Sequence, residues 1–336
     1  MHASFQDGER NIELRCRALP PSSFKCTIKC PFVPRDVTIS DALKDVVNGD
    51  NHIKTYALAA CGVGGILLYG IEVSHFAADT AQLRSQPVVL ALLDSTTSTC
   101  KVTFSNSGML GSASTSGHIA VWDVNMLFML MGSMASVTID RDESGRNLTT
   151  TNKFAPTWEA AYHCGQITAL EFSPSGHWLA AACLGRAGEI ILIEQSNAAM
   201  THLPNSTWMH SCILCTIVPH LKSTQYTVTN NNMGTTTMHC TDVLTHSGLS
   251  LLVWWRNPSA QNEILIGVHG PTQRWMAFDP VSCLSYRKYV RKWESIHRSA
   301  AGSVASKDIL QSLSIEMSTN SVISVTRDGK ARTFEL

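Results

Sequence analysis

The sequence predicts an all-β fold made of repeated small antiparallel sheets, and two observations support this prediction. Residues 99–124 contain three short apolar strands, and residues 163–195 repeat the same rhythm. In both segments the first turn reads Ser-x-Ser-Gly, as "SNSG" or "SPSG", which is typical of the loop that closes a β-hairpin. A small sheet cannot bury both of its faces alone, so repeats of roughly 40 to 60 residues indicate a β-propeller.

The strands can be assigned in order along the chain. The clearest repeats cover residues 99–131, 163–195, 250–280 and 312–336. Their predicted strands lie at 100–104, 109–114, 119–122, 167–172, 178–183, 190–193, 250–255, 263–268, 274–278, 312–317, 321–326 and 331–335. Weaker copies follow from residues 211–240 and from residues 53–73, which supply the last two strands of another repeat.

Several residues in these repeats resemble the WD-repeat family. They are Trp122-Asp123, the "FSPSG" of residues 172–176, the His163-Cys164-Gly165 start and the Asp328-Gly329 turn. The resemblance implies a single WD-type propeller over residues 1–336. It also implies structural roles in the repeat for Ser114, Trp122, Asp123, His163 and Asp328. In that family Asp, His, Ser or Thr, and Trp form a buried hydrogen-bonded tetrad, but no repeat here keeps all four. The repeat at 99–124 has Ser116 where the turn Asp would be, and the repeat at 163–195 has His163 but Ala182 and Leu192 at two of the other positions.

The number of blades and the closure of the ring are less directly encoded. First strands near 99, 166, 211, 250 and 312 leave room for six or seven blades, and the resemblance favours seven. The segments "FKCTIKCPF" and "DVTIS" would then build a degenerate first blade. The last repeat stops on its third strand, so we expect residues 11–19, "NIELRCRAL", to supply its outer strand and close the ring.

Composition limits the classes of function. Lys and Arg total 26 and Asp and Glu total 26, so the whole chain has no electrostatic bias toward nucleic acid or anionic membranes. Eleven scattered cysteines indicate free thiols in a reducing compartment, which predicts cytoplasm or nucleus. No apolar run is long enough for a membrane span, and the N-terminus does not resemble a signal peptide.

The sequence predicts neither a cofactor, nor a metal site, nor an enzyme. Cys212 and Cys215 have C-x-x-C spacing, but an extended segment points them to opposite faces, so buried thiols are favoured over zinc ligands. Cys26 and Cys30 are interpreted in the same way. Residues 62–65 are interpreted as a turn between strands, because no Lys-Ser/Thr and no helix follow the glycines. Common hydrolase and nucleotide-binding motifs are absent from the sequence.

The most informative polar segment is residues 286–298, "YRKYVRKWESIHR". Five basic residues against one acidic residue give it a local charge of +4. Its apolar residues follow helical spacing, so it is either a basic amphipathic arm for a partner, RNA or lipid, or an outer strand that runs into a linker. The candidate partner-binding residues in this arm are Arg287, Lys288, Arg291, Lys292 and Trp293.

Other candidate partner-binding sites lie at strand ends and in insertions. Trp255-Arg256 and Arg274-Trp275 have the composition of interface anchors, although burial of one member of each pair explains them equally well. Insertions near 138–156, 195–208 and 286–308 are candidate binding loops.

The predicted function is a non-catalytic scaffold for protein–protein interaction. The resemblance implies a stoichiometric subunit of a large assembly, of nuclear-pore, ribosome-biogenesis, RNA-processing or ubiquitin-ligase type. The alternative is a propeller that binds RNA or anionic lipid through residues 286–298.

Overall fold

The fold is that of a computed structural model. The structure describes residues 1–6, 8–16, 24–48, 51–76, 80–93, 98–130, 140–141, 148–149, 153–162, 165–183, 189–195, 212–216, 226–230, 236–240, 249–256, 262–269, 274–279, 284–285, 310–316, 321–326 and 331–335. Contacts between residues divide the chain into two compact units, Met1–Tyr162 and His163–Leu336. The single propeller domain over residues 1–336 stays a prediction.

The first unit contains sixteen strands and one short helix among its described residues. They are β1 (His2–Phe5), β2 (Asn11–Cys16), β3 (Phe24–Lys29), β4 (Pro34–Ile39), β5 (Lys44–Asn48), β6 (Asn51–Gly62), β7 (Gly65–Phe76), β8 (Thr80–Leu83), β9 (Val88–Leu93), β10 (Thr99–Phe104), β11 (Met109–Ser114), β12 (His118–Asp123), α1 (Val124–Leu130), β13 (Asp140–Arg141), β14 (Leu148–Thr149), β15 (Lys153–Phe154) and β16 (Trp158–Ala161).

The second unit contains strands alone among its described residues. They are β17 (Ile167–Phe172), β18 (Trp178–Cys183), β19 (Glu189–Glu194), β20 (Cys212–Thr216), β21 (Tyr226–Asn230), β22 (Thr236–Cys240), β23 (Leu249–Arg256), β24 (Glu263–His269), β25 (Arg274–Asp279), β26 (Leu284–Ser285), β27 (Leu310–Glu316), β28 (Ser321–Thr326) and β29 (Ala331–Glu335).

The described strands form six sheets of three or more strands, and their pairs are antiparallel except for β9–β15 in sheet 2 and β20–β22 in sheet 4. Sheet 1 has the order β1-β2-β3, sheet 2 has β15-β9-β7-β6-β4 with β5 and β8 attached, and sheet 3 has β10-β11-β12-β16. Sheet 4 has β17-β18-β19-β20-β22-β21, sheet 5 has β23-β24-β25-β26, and sheet 6 has β27-β28-β29. The predicted all-β class is therefore confirmed, while the number of blades stays a prediction.

The segments at 99–131 and 163–195 contain the three strands predicted for each, as β10–β12 and β17–β19. Within each repeat the three strands pair in order, with Phe104↔Leu110 opposite across the first hairpin of sheet 3 and Phe172↔Leu179 across that of sheet 4. Gly108 in the "SNSG" turn has a φ of 81°, a left-handed conformation that glycine adopts without steric cost. The repeat at 312–336 also forms its three strands, as β27, β28 and β29.

Sheet 2 contains a long hairpin that extends past the rest of its sheet. β6 and β7 are each 12 residues long and pair throughout, from Asn51↔Phe76 to Gly62↔Gly65. The turn predicted at residues 62–65 is therefore confirmed. At the far end of the hairpin, β5 continues the row of β4 along β6 and β8 continues the row of β9 along β7. We name this four-stranded part, residues 44–48, 51–56, 71–76 and 80–83, the overhang.

Two buried clusters hold the sheets of the first unit together. One contains Ile12 and Leu14 of sheet 1 with Leu58 and Ile71 of sheet 2. The other lies on the opposite face of sheet 2 and packs Ala57, Ala59 and Leu68 against Trp122 of sheet 3. Because alternate residues of a strand point to opposite faces, one apolar run such as "YALAAC" in β6 fills both clusters.

The predictions about the N-terminal segment are wrong. β2 is the central strand of sheet 1, paired to β1 and to β3, so residues 11–16 have no free edge with which to close the last repeat. Residues 17–19 lie outside the described residues. The predicted first blade is divided between two sheets, because β3 pairs with β2 whereas β4 pairs with β6.

The strand near residue 211 also has a different place from the predicted one. Instead of starting a new repeat, β20 pairs with β19, with Ile190↔Cys215 opposite, and forms the fourth strand of sheet 4. The third strand of a meander has one open edge, and an apolar strand that follows it in the chain can satisfy that edge at once.

Candidate interaction surface

The first hairpin turns of sheets 3 and 4 are stabilised by the same kind of hydrogen bond, from a backbone N–H to a serine hydroxyl. In sheet 3 the Ser105 hydroxyl accepts a hydrogen bond from the Met109 N–H at 3.0 Å and lies 2.9 Å from the Ser107 hydroxyl. In sheet 4 the Ser173 hydroxyl accepts from the Trp178 N–H at 3.1 Å. These side-chain bonds satisfy backbone donors that the tight turn leaves without a strand partner, which explains the repeated Ser-x-Ser-Gly sequence.

The Trp-Asp pair that ends β12 has two separate structural roles. Trp122 is 1% exposed, and its indole N–H donates to the carbonyl oxygen of Phe154 at 3.2 Å. Asp123 caps helix α1, because its Oδ1 accepts from the Met126 N–H at 3.0 Å. Both residues therefore fix the segment that follows the third strand.

The side chain of Ser114 takes part in a turn instead of a tetrad. Its hydroxyl accepts from the His118 N–H at 2.9 Å and lies 3.0 Å from the Ser116 hydroxyl. Since the Trp122 indole bonds to Phe154, Ser114 and Trp122 are not joined by a hydrogen bond between their side chains. The remaining predicted structural residues, His163 and Asp328, lie outside the described residues.

Asp36 links the first strands of sheets 2 and 3. Its Oδ2 accepts from the Val102 N–H at 3.1 Å and lies 3.8 Å from the Lys101 ammonium. Burial raises the pKa of Asp36 above its ordinary value, and the Lys101 charge and the Val102 N–H oppose that rise without reversing it. The Asp36 carboxyl therefore links two sheets, although its removal from water costs free energy.

Two polar contacts likewise link sheet 4 to sheet 5. The Trp254 indole N–H donates to the Glu171 carbonyl oxygen at 3.1 Å. The Glu263 carboxylate accepts from both the N–H and the hydroxyl of Ser175, at 2.6 and 2.7 Å. Neighbouring sheets of the second unit are therefore tied both in the core and at the surface.

Helix α1 presents two methionines to solvent. Val124 and Leu127 are buried, whereas Met126 is 45% and Met129 is 82% exposed. The start of the helix is held by the Asp123 cap and by the Asn125 side-chain N–H, which donates to the Ser107 carbonyl oxygen at 2.7 Å. The methionines therefore project from an anchored helix, and methionine is frequent at binding surfaces because its flexible side chain adapts to a partner.

The overhang is the second exposed apolar feature. In β5, Val46 is 40% and Val47 is 61% exposed, and Lys44 and Asp45 beside them are exposed as well. On one face His52 and His75 stand opposite each other, and the His52 ring lies 3.8 Å from the Asp45 carboxylate. Desolvation, with the Lys54 charge next in size, lowers the pKa of His75.

No catalytic or metal-binding arrangement was predicted from the sequence. In the part of the chain that the structure describes, no group of three or more His, Cys, Asp and Glu side chains could hold a metal ion. Cys26 and Cys30 are buried free thiols, and burial raises the pKa of each. Cys212 and Cys215 lie in β20, the strand setting on which the thiol interpretation depended.

Comparison with known proteins gives similarity at the level of structure. No family model matches the chain, and no curated protein matches it. The β-propeller domain of Cps50 (Swd1) from Myceliophteria thermophila is 9% identical, with 97% of this chain and 80% of that chain covered and a TM-score of 0.49. Sqt1 from Chaetomium thermophilum is 14% identical, with 98% and 64% covered and a TM-score of 0.45. A chain of the mitotic checkpoint complex is 13% identical, with 90% and 78% covered and a TM-score of 0.34.

Because these sequence identities are low, the repeats are assigned from the strand topology and from the repeat residues. Sheet 3 is a four-stranded antiparallel meander whose third strand ends in Trp122-Asp123. A four-stranded antiparallel meander is the strand pattern of a β-propeller blade. In blade terms β12 is the third strand and β16 the fourth, and the insertion between them contains α1 and β15.

The predicted partner-binding residues have different outcomes. The basic arm with Arg287, Lys288, Arg291, Lys292 and Trp293 lies outside the described residues, as do the insertions at 196–208 and 286–308. Trp255 is 3% exposed in β23, so this residue is corrected from a surface anchor to a core residue, while Arg256 beside it is exposed. A partner-binding role for Arg256 stays a prediction.

Two further predicted positions are described by their backbone. Arg274 and Trp275 lie in β25, opposite His269 and Val268 of β24, and their role stays a prediction. Part of the 138–156 insertion is also described. It forms β13, β14 and β15, and β15 adds in parallel to β9 through Phe154↔Leu93.

The apolar surface of α1 and the overhang were not predicted from the sequence. The signal for the overhang was present, because "KDVVN" places two valines next to charges just before the long apolar hairpin. The signal for α1 was the run "VNMLFML", which alternates buried and exposed residues at helical spacing only after the helix has docked.

Proposed function

We propose that this protein is a non-catalytic scaffold that binds other proteins. The observation that carries the proposal is the exposure of Met126 and Met129 on the anchored helix α1. An apolar side chain left in water at a fixed position gains roughly 25 cal/mol for each Å² that a partner covers. Side-chain hydrogen bonds already hold the first turn of helix α1. A partner that binds there therefore loses little free energy to ordering the helix.

Affinity purification tests the proposal. The tagged chain is expressed in its own cells, and co-purifying proteins are compared with those of a Met126→Ser, Met129→Ser double variant. We expect the variant to lose at least one stoichiometric partner. Val63→Ser is the matched control, because Val63 is 60% exposed in the β6–β7 turn and lies far along the chain from α1. Equal recovery of every partner by all three proteins would contradict the proposal.

The finer form of the proposal is membership of a large assembly of nuclear-pore, ribosome-biogenesis, RNA-processing or ubiquitin-ligase type, in cytoplasm or nucleus. The identities of stoichiometric partners in the same purification distinguish these assemblies. Among the described residues, none of the helices has the length and apolar character needed to cross a membrane.

A second candidate function is binding of RNA or anionic lipid through residues 286–298. Its support is the local charge of +4 in an otherwise neutral sequence. Binding of a fluorescent single-stranded RNA and of phosphatidylserine vesicles is measured over a salt series. If phosphate contacts drive binding, affinity falls steeply with salt and is lost when Arg287, Lys288, Arg291 and Lys292 are changed to Ser. Unchanged binding by that variant would reject this candidate.

A further inference from the structure

Strand β5 supplies almost nothing to the core of this chain. Lys44, Asp45, Val46 and Val47 are all exposed, so both faces of the strand meet solvent. The strand is held by main-chain pairing to β6, from Lys44↔Thr55 to Asn48↔Asn51, after the Leu43 N–H donates to the Thr55 carbonyl at 2.8 Å. Two adjacent valines thus favour the extended conformation while their side chains remain uncovered.

The second edge of β5 is open in the described part of the chain. The strand pairs with β6 on one edge, and no described strand pairs with the other. An exposed edge usually carries charges, proline or a bulge that prevents the addition of another strand. β5 has two charged residues at its start, but its next two residues are aliphatic, which leaves main-chain donors and acceptors beside an apolar surface.

The two charged residues of β5 differ in their ion pairs. The Asp45 carboxylate lies 3.9 Å from the Lys54 ammonium and 3.8 Å from the His52 ring. Lys44 has no ion pair among the described residues. Alternation along the strand places Lys44 and Val46 on one face, and Asp45 and Val47 on the other.

We propose that β5 is a strand-addition site for an extended segment of a partner protein that runs antiparallel to it. Read from its N-terminus, the segment has two consecutive aliphatic residues, opposite Val47 and Val46, then any residue and then an acidic residue opposite Lys44. Directly opposite residues of an antiparallel pair share a face, so each valine gains an apolar neighbour and Lys44 gains a counter-charge. Main-chain hydrogen bonds supply affinity, and the three side chains supply selectivity.

A second copy of this chain fits the same edge less well. Self-pairing centred on Val46 puts Asp45 opposite Val47 and Lys44 opposite Asn48, so neither charge meets an opposite charge across the new ladder. The register that sets Lys44 opposite Asp45 in both copies places Val46 and Val47 opposite residues 43 and 42, which precede the strand. No self-pairing register therefore matches both the charges and the valines within β5, which favours a partner segment of the stated pattern over a dimer. The inference rests on the proposed protein-binding function but concerns a different surface from helix α1.

A synthetic peptide provides the first test. The probe is fluorescein-Ser-Thr-Ile-Val-Thr-Glu-Thr-Ser, titrated with the full chain at low salt and followed by fluorescence anisotropy. We expect saturable binding that weakens at least tenfold when the peptide amides that face β5 are N-methylated, because methylation removes the ladder donors. Equal binding of the N-methylated peptide, or no saturable binding of the probe, would overturn the inference.

Charge exchange provides the second test. Lys44→Glu should weaken the Glu-containing peptide roughly two- to fivefold, the range of exposed ion pairs, and should improve binding of the peptide that carries Lys at that position. Val46→Asp with Val47→Asp should abolish binding of both peptides. Val63→Asp is the matched control, since it places the same charge at another exposed valine and should leave binding unchanged.

Two results separate this inference from its alternatives. A concentration-dependent dimer of the unmodified chain in sedimentation, lost in the Val46→Asp, Val47→Asp variant, would replace the partner segment by a second copy. Failure of the peptide to bind while the co-purifying proteins of the Met126 and Met129 experiment are retained would reject strand addition and leave the proposed function standing.

Discussion

The carboxylate of Glu263 accepts two hydrogen bonds from a single residue, Ser175. The Ser175 N–H lies 2.6 Å from Oε1, and the Ser175 hydroxyl lies 2.7 Å from Oε2. Ser175 belongs to the "SPSG" turn of sheet 4 and Glu263 begins β24 of sheet 5, so the pair ties a turn to the next sheet. Hydrogen bonds to a charged acceptor are the stronger kind in proteins.

Substitution of Glu263 should therefore lower the stability of the second unit. We expect Glu263→Ala to lower the free energy of unfolding by roughly 1–2 kcal/mol, at the lower end for charged hydrogen bonds because the contact is exposed. Urea denaturation measures the loss. Ser175→Ala and the double variant complete a double-mutant cycle, in which strict additivity of the two losses would show that the contact contributes nothing.

Trp122 tests the role of the third-strand aromatic residue. Trp122→Phe keeps an apolar ring but leaves the Phe154 carbonyl without the indole donor, so we expect a loss of roughly 1–3 kcal/mol. Trp122→Ala should cost roughly 3–5 kcal/mol because it also opens a cavity. Trp254→Phe in the second unit should show a similar loss, since its indole N–H also donates to a backbone carbonyl. A loss under about 0.5 kcal/mol for Trp122→Ala, within the range of surface changes, would contradict the packing described.

Asp36 should show the cost of its own burial. Its pKa is raised, so the folded chain binds this proton more tightly than the unfolded chain. The contribution of Asp36 to stability is then largest at low pH and declines as pH rises from its ordinary value of 3.8 through the raised folded pKa. We expect Asp36→Asn, which keeps an acceptor for the Val102 N–H, to remove this decline, and Asp36→Ala to cost roughly 1–3 kcal/mol. Urea midpoints between pH 4 and pH 7 measure both, and an unchanged pH slope in Asp36→Asn would refute the prediction.

His75 should have the opposite pH dependence. Its lowered pKa means that the unfolded chain binds this proton more tightly, so its contribution to stability is complete above the ordinary histidine pKa of 6.5. That contribution is lost as pH falls from 6.5 through the lowered folded pKa. The charges of Lys54, His52 and the N-terminal amine lower the pKa of His75 further, and the charge of Asp45 opposes them.

For His75, local thermal unfolding of the overhang is monitored by amide hydrogen exchange at a series of pH values. His75→Thr should flatten the loss of protection between about pH 6.5 and pH 5, because the residue that takes up the proton is gone. His2→Thr serves as control, since His2 is exposed in β1. Equal acid sensitivity of unmodified and His75→Thr proteins would assign the effect to other groups.

The repeats that the sequence predicted best are those whose turns have their own chemistry. Ser105 and Gly108 satisfy and shape the first turn of sheet 3 through contacts within five residues, so "SNSG" could be interpreted without knowledge of the rest of the chain. The same holds for Ser173 and Gly176 in sheet 4. The strands between these turns followed, because alternation and β-branched composition are local properties as well.

The predictions that failed concern partners far apart in the chain. Residues 11–16 have the alternation of an edge strand or a central strand alike, and only pairing with both β1 and β3 decided between them. Trp255 could be an anchor or a core residue by composition, and its 3% exposure in β23 decided for the core. In both cases the pattern of one strand does not specify which edge or face a distant element will cover.

By itself the sequence determined the strands and turns of the clearest repeats and the all-β class of this protein, because these depend on residues that are neighbours in the chain. The tertiary structure alone decided which strand completes each sheet, and which apolar side chains remain in solvent. Leu58 of β6 and Val47 of β5 are both aliphatic residues in strands. One is buried against sheet 1 and the other is exposed, because packing of distant sheets covers β6 but ends before it reaches β5.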